Sequence, residues 1–125
     1  LLAVTDEAPA ERVNALQQAG VEVIRMNAGP QVDLRELMHQ LAERDICSVF
    51  VEGGGTVNFS LLQSGLVDKI YAFIAPKVLG GRTALTPVEG DGFAALEEAV
   101  ELSDVQMELL AGDILVAGYV KKGEA

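Results

Sequence analysis

Val49-Phe50-Val51-Glu52-Gly53-Gly54-Gly55-Thr56-Val57-Asn58-Phe59-Ser60-Leu61-Leu62 is the stretch that decides the fold. Its first residues suit a buried strand, and those after the glycines suit a helix from about Thr56 to Ser64, stopped by Gly65. Three consecutive glycines at such a junction need a reason, because each costs backbone entropy on folding. Glycine lets the backbone turn sharply and lets a bulky anion come close to N–H groups. The helix start adds unsatisfied donors and a partial positive charge. Thr56 and Ser60 offer hydroxyls and Asn58 an amide. The pattern is neither G-x-G-x-x-G nor a P-loop, since no Gly-Lys-Ser/Thr follows. It reads as a phosphate-binding cradle for a dinucleotide. A tight strand-to-helix turn with close packing and no ligand satisfies the same pattern.

Glu52 bears on that choice. It is a carboxylate at the end of an apolar strand, beside a cradle where a second negative charge is unwelcome. It could hydrogen-bond a sugar hydroxyl or a heterocycle N–H, or serve in proton transfer. Its purely structural use would be to accept backbone N–H groups of its own turn.

Working outward, Leu1–Val4 predicts a strand, and Thr5-Asp6-Glu7-Ala8-Pro9 a helix start with Val13 and Leu16 on one face. Gly20 stops that helix, Val21–Arg25 predicts a second strand, and Asn27-Ala28-Gly29-Pro30 a turn. Asp33 is a good N-cap with Glu36 three residues on. Leu34, Leu37, Met38, Leu41 and Ala42 then form one apolar stripe, with His39 and Gln40 off it. Ile46–Val51 predicts a third strand. The order β-α-β-α-β-α is the signature of a parallel sheet with crossover helices.

After Gly65 the character changes. Val67–Ala75 predicts a long strand stopped by Pro76, and the segments 78–82 and 87–93 predict loops. Leu96–Ala99 suits a short helical turn. Val100–Leu110 and Ile114–Val120 predict a hairpin across Ala111-Gly112-Asp113. The expected fold is therefore α/β, one domain over residues 1–125, in which a parallel βαβα part and an antiparallel C-terminal hairpin make a mixed sheet flanked by helices.

Composition sets limits on partners. A net charge of −10 argues against non-specific nucleic-acid binding, so an anionic cofactor must be held mainly by backbone N–H groups and local dipoles. No apolar run approaches the ~20 residues that span a bilayer, and a membrane role is not expected. A single cysteine, Cys47, fits a reducing cytoplasm, and one Cys with one His leaves no zinc cluster.

Ser48–Gly55, Leu61–Ile70 and Ile74–Gly81, with the late Gly112-Asp113-Ile114-Leu115, resemble the reductase domain of the bifunctional riboflavin-biosynthesis deaminase/reductase. The likeness covers nearly the whole chain, is specific from Ile46 to Gly81, and is diffuse before Asp33. It implies a dihydrofolate-reductase-like fold whose mixed sheet carries NADPH across its strand ends. It also implies the reaction: hydride delivery from NADPH to C1′ of the ribose of 5-amino-6-(5-phosphoribosylamino)uracil, giving the ribityl product. The glutamate of the Glu-Gly-Gly motif lies at the substrate in such enzymes, which points to Glu52. The segment that follows binds the NADP phosphates, which points to Gly54, Gly55, Thr56, Val57, Asn58, Phe59 and Ser60. Val57 and Phe59 could give only backbone donors or packing.

The resemblance also carries a departure. The family's reductase domain starts with further strands bearing a lysine-containing segment and contacts to nucleotide and substrate phosphate, and nothing here corresponds to them. With the abrupt opening Leu1-Leu2-Ala3-Val4-Thr5, this implies the C-terminal part of a reductase domain. A deaminase domain is expected upstream, as are homo-oligomers, and little activity or NADPH affinity is expected from the chain alone. A related reductase of a 2,5-diamino pyrimidine, or a non-catalytic nucleotide-binding or assembly domain, remains open. Among other residues, Cys47 is expected to be a small buried hydrophobe, His39 exposed, Asp68 a turn or cap acceptor, and Lys77 and Arg82 solvated. Tyr71 and Phe73 share a strand face that suits a core or a subunit contact. Lys121 and Lys122 suit edge protection.

Overall fold

Leu2–Val4 (β1) and Val23–Arg25 (β2) pair in parallel, with Leu2 opposite Val23 and Val4 opposite Arg25, and the helix Ala10–Gln18 (α1) crosses between them. The computed structural model describes residues 1–26 and 29–122; Asn27 and Ala28 of the expected turn lie outside the described residues. Two compact units divide the chain, residues 1–50 and 51–125.

In the first unit the helix ends carry the information read from sequence. Pro9 stands at the N-cap position of α1 with φ −56° and no side-chain cap. At the other end Gly20 takes φ +85°, and the N–H groups of Gly20 and Val21 donate to the carbonyls of Gln17 and Leu16. That is a Schellman closure, which needs the left-handed residue that Gly supplies without strain. α1 packs on β2, where Val13 and Ile24 are buried, as is Met26 just beyond the strand.

The second helix, Leu34–Ala42 (α2), is capped as expected: the Asp33 carboxylate accepts from the amides of Arg35 (2.9 Å) and Glu36 (3.1 Å). Glu36 does not reach back to the cap. Its Oε1 accepts from Gln40 Nε2 at 3.1 Å, and Gln40 in turn accepts from Arg44, which also reaches Glu22. The apolar stripe of α2 is only half covered, and none of its residues is buried among the described ones. Asp45, at φ +59°, closes the helix with its own amide on Ala42 and that of Ile46 on Leu41, a task usually given to glycine.

Residues 46–51 depart from expectation: they join no ladder. Their composition is that of a parallel strand, but such a strand exists only through partners distant in sequence, and none of the described strands pairs with it. Val49 and Phe50 are accordingly 47% and 72% exposed, and Cys47, expected to be buried, is exposed with its thiol on the Asp45 carbonyl. The described strands thus form two sheets, a parallel pair and an antiparallel triple.

The second unit holds the helix Gly55–Gln63 (α3), Lys69–Ile74 (β3), a 3₁₀ turn at Leu96–Glu98, Leu102–Leu110 (β4) and Asp113–Val120 (β5). The sheet order is β3-β5-β4, all antiparallel, so the last strand is central. Leu110 pairs with Asp113 across a two-residue turn in which Ala111 (φ +52°) and Gly112 (φ +97°) are both left-handed, the requirement of a type I′ hairpin. Near its start β4 carries a bulge: Ser103 faces Tyr119 but Gln106 faces Ala117, and Asp104 takes φ +49°. Tyr71 and Phe73, read as core or subunit contact, are 46% and 59% exposed and so do not form a core among the described residues. Asp68 accepts the Val120 amide and pairs with Lys122 at 2.7 Å, while Lys121 pairs with Glu101 at 2.7 Å.

Candidate functional site

The glycine turn is built by the start of α3. Gly54 is the N-cap residue, with φ −65° and ψ 165°, and its carbonyl accepts from the amides of Val57 (3.0 Å) and Asn58 (3.1 Å). The amides of Gly54, Gly55 and Thr56 donate to no acceptor among the described residues. Nothing lies within 4 Å of a Cβ built on Gly54, so this side of the turn is open. Adjacent unsatisfied N–H groups at the positive end of a helix suit a phosphate. Glu52 is exposed and makes no hydrogen bond or ion pair with the described residues, so its carboxylate is not used to close its own turn.

Gly55 has a different reason to be glycine. It is buried, and a Cβ there would meet Glu89 Cγ at 2.5 Å, the Thr86 carbonyl at 2.8 Å and Glu89 Cβ at 2.9 Å. Its own carbonyl accepts the Glu89 amide at 3.0 Å. Close packing therefore accounts for glycine at position 55, whereas the space beside Gly54 is open.

The remaining residues of the expected cofactor set divide in the same way. Thr56 and Val57 are exposed at the start of α3. Asn58 Nδ2 donates to the Pro87 carbonyl at 2.8 Å, which commits its amide to the 86–93 loop. Ser60 Oγ donates to the Thr56 carbonyl at 2.9 Å, one helical turn back. Phe59 is buried, edge-on to Phe93 with ring centroids 5.4 Å apart. Asn58, Phe59 and Ser60 hold the helix and loop in place, while Gly54, Gly55 and Thr56 carry the open donors.

The sequence predicts residues 87–93 only as a loop, and the part that residues 86–93 play in shaping the turn was missed. A signal was present: Thr86-Pro87-Val88-Glu89 has the S/T-x-x-E spacing of a capping box with proline after the cap. Here the box closes a turn without a helix. Glu89 Oε1 accepts from the Thr86 amide at 3.1 Å, and Thr86 Oγ1 donates to the Val88 carbonyl at 2.8 Å.

Elsewhere in this unit Lys69 Nζ lies 4.8 Å from the ring centroids of both Tyr71 and Tyr119. Its hydrogen bond with Tyr71 raises its pKa above the usual lysine value against an opposing desolvation, with lesser upward contributions from the charges of Tyr119 and Tyr71. Lys77 and Arg82 are exposed, flanking Gly80 and Gly81, both of which have positive φ. Among the described residues no group of three or more His, Cys, Asp or Glu side chains is placed to hold a metal, and no helix is long and apolar enough to cross a membrane.

Comparison with known proteins places these features in context. The chain is 38% identical over 107 residues to the riboflavin biosynthesis protein RibD of Actinobacillus pleuropneumoniae, an alignment covering 85% of the chain and 28% of that protein. It is 36% identical over 124 residues to the 2,5-diamino-6-ribosylamino-4(3H)-pyrimidinone 5′-phosphate reductase of Methanothermobacter thermautotrophicus, covering 98% of the chain and 56% of that protein. The chain therefore spans about a quarter to just over half of these relatives. Among solved structures, a pyrimidine reductase-like protein of Corynebacterium diphtheriae superposes with a TM-score of 0.75 at 22% identity, covering 97% of the chain and 50% of that protein. RibD of Acinetobacter baumannii superposes with a TM-score of 0.70 at 23% identity, covering 96% of the chain and 31% of that protein. These likenesses bear out the α/β, dihydrofolate-reductase-like fold expected from the sequence. The family model described as the RibD C-terminal domain matches residues 1–116, and the chain belongs to that family.

Proposed function

We propose that this chain supplies part of an NADPH-dependent reductase of riboflavin biosynthesis, which reduces the ribose of 5-amino-6-(5-phosphoribosylamino)uracil to the ribityl product. The observation that carries this reading is the open start of α3, where the amides of Gly54, Gly55 and Thr56 have no acceptor among the described residues. Membership of the RibD C-terminal domain family supports reading that generic anion site as a dinucleotide site. When bound, the cofactor supplies the hydride.

The chain's own residues bind and orient. The Gly54–Thr56 amides hold phosphate, with Val57 contributing its exposed apolar side chain beside them. Asn58, Phe59 and Ser60 act indirectly, keeping α3 against the 86–93 loop. Glu52, exposed before the turn, accepts a hydrogen bond from a substrate hydroxyl or ring N–H. No acid–base step is assigned to it. With a net charge of −10 on the chain, backbone donors carry the task of holding an anionic cofactor.

The 36% identical relative of Methanothermobacter thermautotrophicus, named for a 2,5-diamino pyrimidinone phosphate, supports a second reading in which the substrate ring has not been deaminated. In either reading we place the enzyme in the cytoplasm as a homo-oligomer. The first reading adds a deaminase domain on the same polypeptide. Calorimetric titration of the full-length protein with NADPH, NADH and ADP tests the cofactor assignment. NADPH is expected to bind most tightly, and no binding of any of the three would overturn it. Turnover of each pyrimidine separates the two substrates. The isolated 125-residue chain is expected to show little or no turnover.

A further inference from the structure

Residues 86–90 are fastened to the first turns of α3 at three points. The Glu89 amide donates to the Gly55 carbonyl, Asn58 Nδ2 donates to the Pro87 carbonyl, and the Phe59 ring fills the space beside Gly90. Glu89 carries most of this clasp. Its side-chain stem covers Gly55 so closely that a methyl group there would stand 2.5 Å from Cγ, and its Oε1 accepts the Thr86 amide at 3.1 Å.

The bond to Gly55 has a directional consequence. A peptide unit is planar and trans, so its C=O and the following N–H point to opposite sides of one rigid plate. Gly55 opens α3, so the helix already sets this peptide, and the Glu89 amide on the Gly55 carbonyl adds a second hold on the direction of the Thr56 N–H. That N–H is one of the donors at the open start of α3. Hydrogen bonding at the carbonyl also polarises the plate and strengthens the opposite N–H as a donor. The side chain keeps the 86–89 turn in the shape that brings the Glu89 amide to Gly55.

We propose that Glu89 is a positioning residue of the dinucleotide site: without touching the cofactor, it orients the Gly55–Thr56 peptide so that the Thr56 N–H faces the bound phosphate. This rests on the NADPH reading above. It assigns to an acidic side chain a role in holding an anion, achieved through the backbone and not through charge.

The test uses the full-length protein, with NADPH binding followed by fluorescence titration and turnover by steady-state kinetics. Glu89→Ala is expected to raise the NADPH Kd and KM about tenfold, leaving kcat and the pyrimidine KM within about twofold. Glu89→Gln keeps an oxygen that accepts the Thr86 amide, and is expected to bring the Kd back to within about threefold of wild type. A folded Glu89→Ala protein with an NADPH Kd within about twofold of wild type would overturn the assignment. So would a loss shared equally by both substrates and tracking a lowered melting temperature, which is the mark of a structural residue alone. If Glu89→Ala does not fold, Glu89→Asp carries the same expectation and the same refutation, because its shorter stem breaks the Thr86 bond while keeping the charge. Wild-type protein that binds no NADPH removes the cofactor reading, and this assignment falls with it. Binding by wild type with no response in the variants removes only the role of Glu89.

Discussion

The Phe59 ring occupies the space that a side chain at Gly90 would need: a Cβ built there would lie 2.8 Å from Phe59 Cδ1. Gly90 also holds φ +110°, a backbone region that L residues avoid. Gly90→Ala is therefore expected to destabilise the full-length protein by about 2 kcal/mol or more, from backbone strain and overpacking together. Urea denaturation checks this. An unchanged midpoint would mean that the ring and loop move aside without cost.

Phe59 and Phe93 meet edge to face at 5.4 Å. Beyond the area each buries, such a pair contributes about 1 kcal/mol. A double-mutant cycle with Phe59→Leu and Phe93→Leu is expected to return a coupling of that size. Strict additivity would show that the contact contributes no more than burial.

Asp33 accepts two amides at the start of α2. Asp33→Ala is expected to cost about 1 kcal/mol, and Asp33→Ser, which restores a capping oxygen, to recover most of it. Helical hydrogen-exchange protection in α2 should fall in the first variant and return in the second. Equal protection in both would argue that the half-covered apolar stripe alone holds the helix.

Glu52 gives the cleanest separation of substrate from cofactor roles. In the full-length enzyme Glu52→Gln is expected to lower turnover by tenfold or more, as an order of magnitude, while the NADPH Kd stays within about twofold. An unchanged rate would remove Glu52 from the substrate site.

Two lysine contacts set opposite pH limits. Glu101 is hydrogen-bonded to Lys121 and near its charge, which together hold the carboxyl below its usual value of 4.5. Its contribution is present above that value and is lost as pH falls through the lower, folded-state pKa. Lys69, raised above 10.5 first by its hydrogen bond with Tyr71, contributes fully below that value and loses its effect as pH rises through the raised pKa. NMR titration of the Glu101 carboxyl should show a midpoint below 4.5 that returns toward it in Lys121→Met, and an unshifted midpoint in wild type would contradict the pairing. The contribution to stability is expected to be small, because water and salt screen exposed pairs.

Local chemistry was legible in the sequence wherever the signal was itself local. Gly20 and Gly65 stop their helices through left-handed backbone, Asp33 caps α2, and Ala111-Gly112 turns the hairpin, each within a few residues of the feature it determines. Residues 46–51 were the opposite case. Their composition specifies a strand, yet a strand has no hydrogen bonds of its own and depends on distant partners. Cys47 was misjudged with it, since its expected burial followed from that strand. Asp45 went unnoticed as a helix closure because only glycine advertises a left-handed position plainly.

At the candidate site, the open donors of Gly54 and Thr56 followed from helix-end physics, whereas the reason for glycine at position 55 did not. That reason lies in Thr86 and Glu89, more than thirty residues downstream, and no helical or strand period links the two segments. Asn58 and Ser60 show the same limit: sequence reveals that a side chain can donate, but not to which of several acceptors it has been committed.

The β3-β5-β4 order has a consequence for how the sheet comes into being. The ribosome makes β3 first and β4 next, but the two are not neighbours, and both wait for β5 to be inserted between them. Neither nascent strand can satisfy its backbone in this sheet until the final ladder partner has left the exit tunnel, so the sheet closes late. A premature stop within β5 would deprive two strands of partners at once, leaving Tyr71, Phe73, Met107 and Leu109 on unpaired segments open to association with other chains.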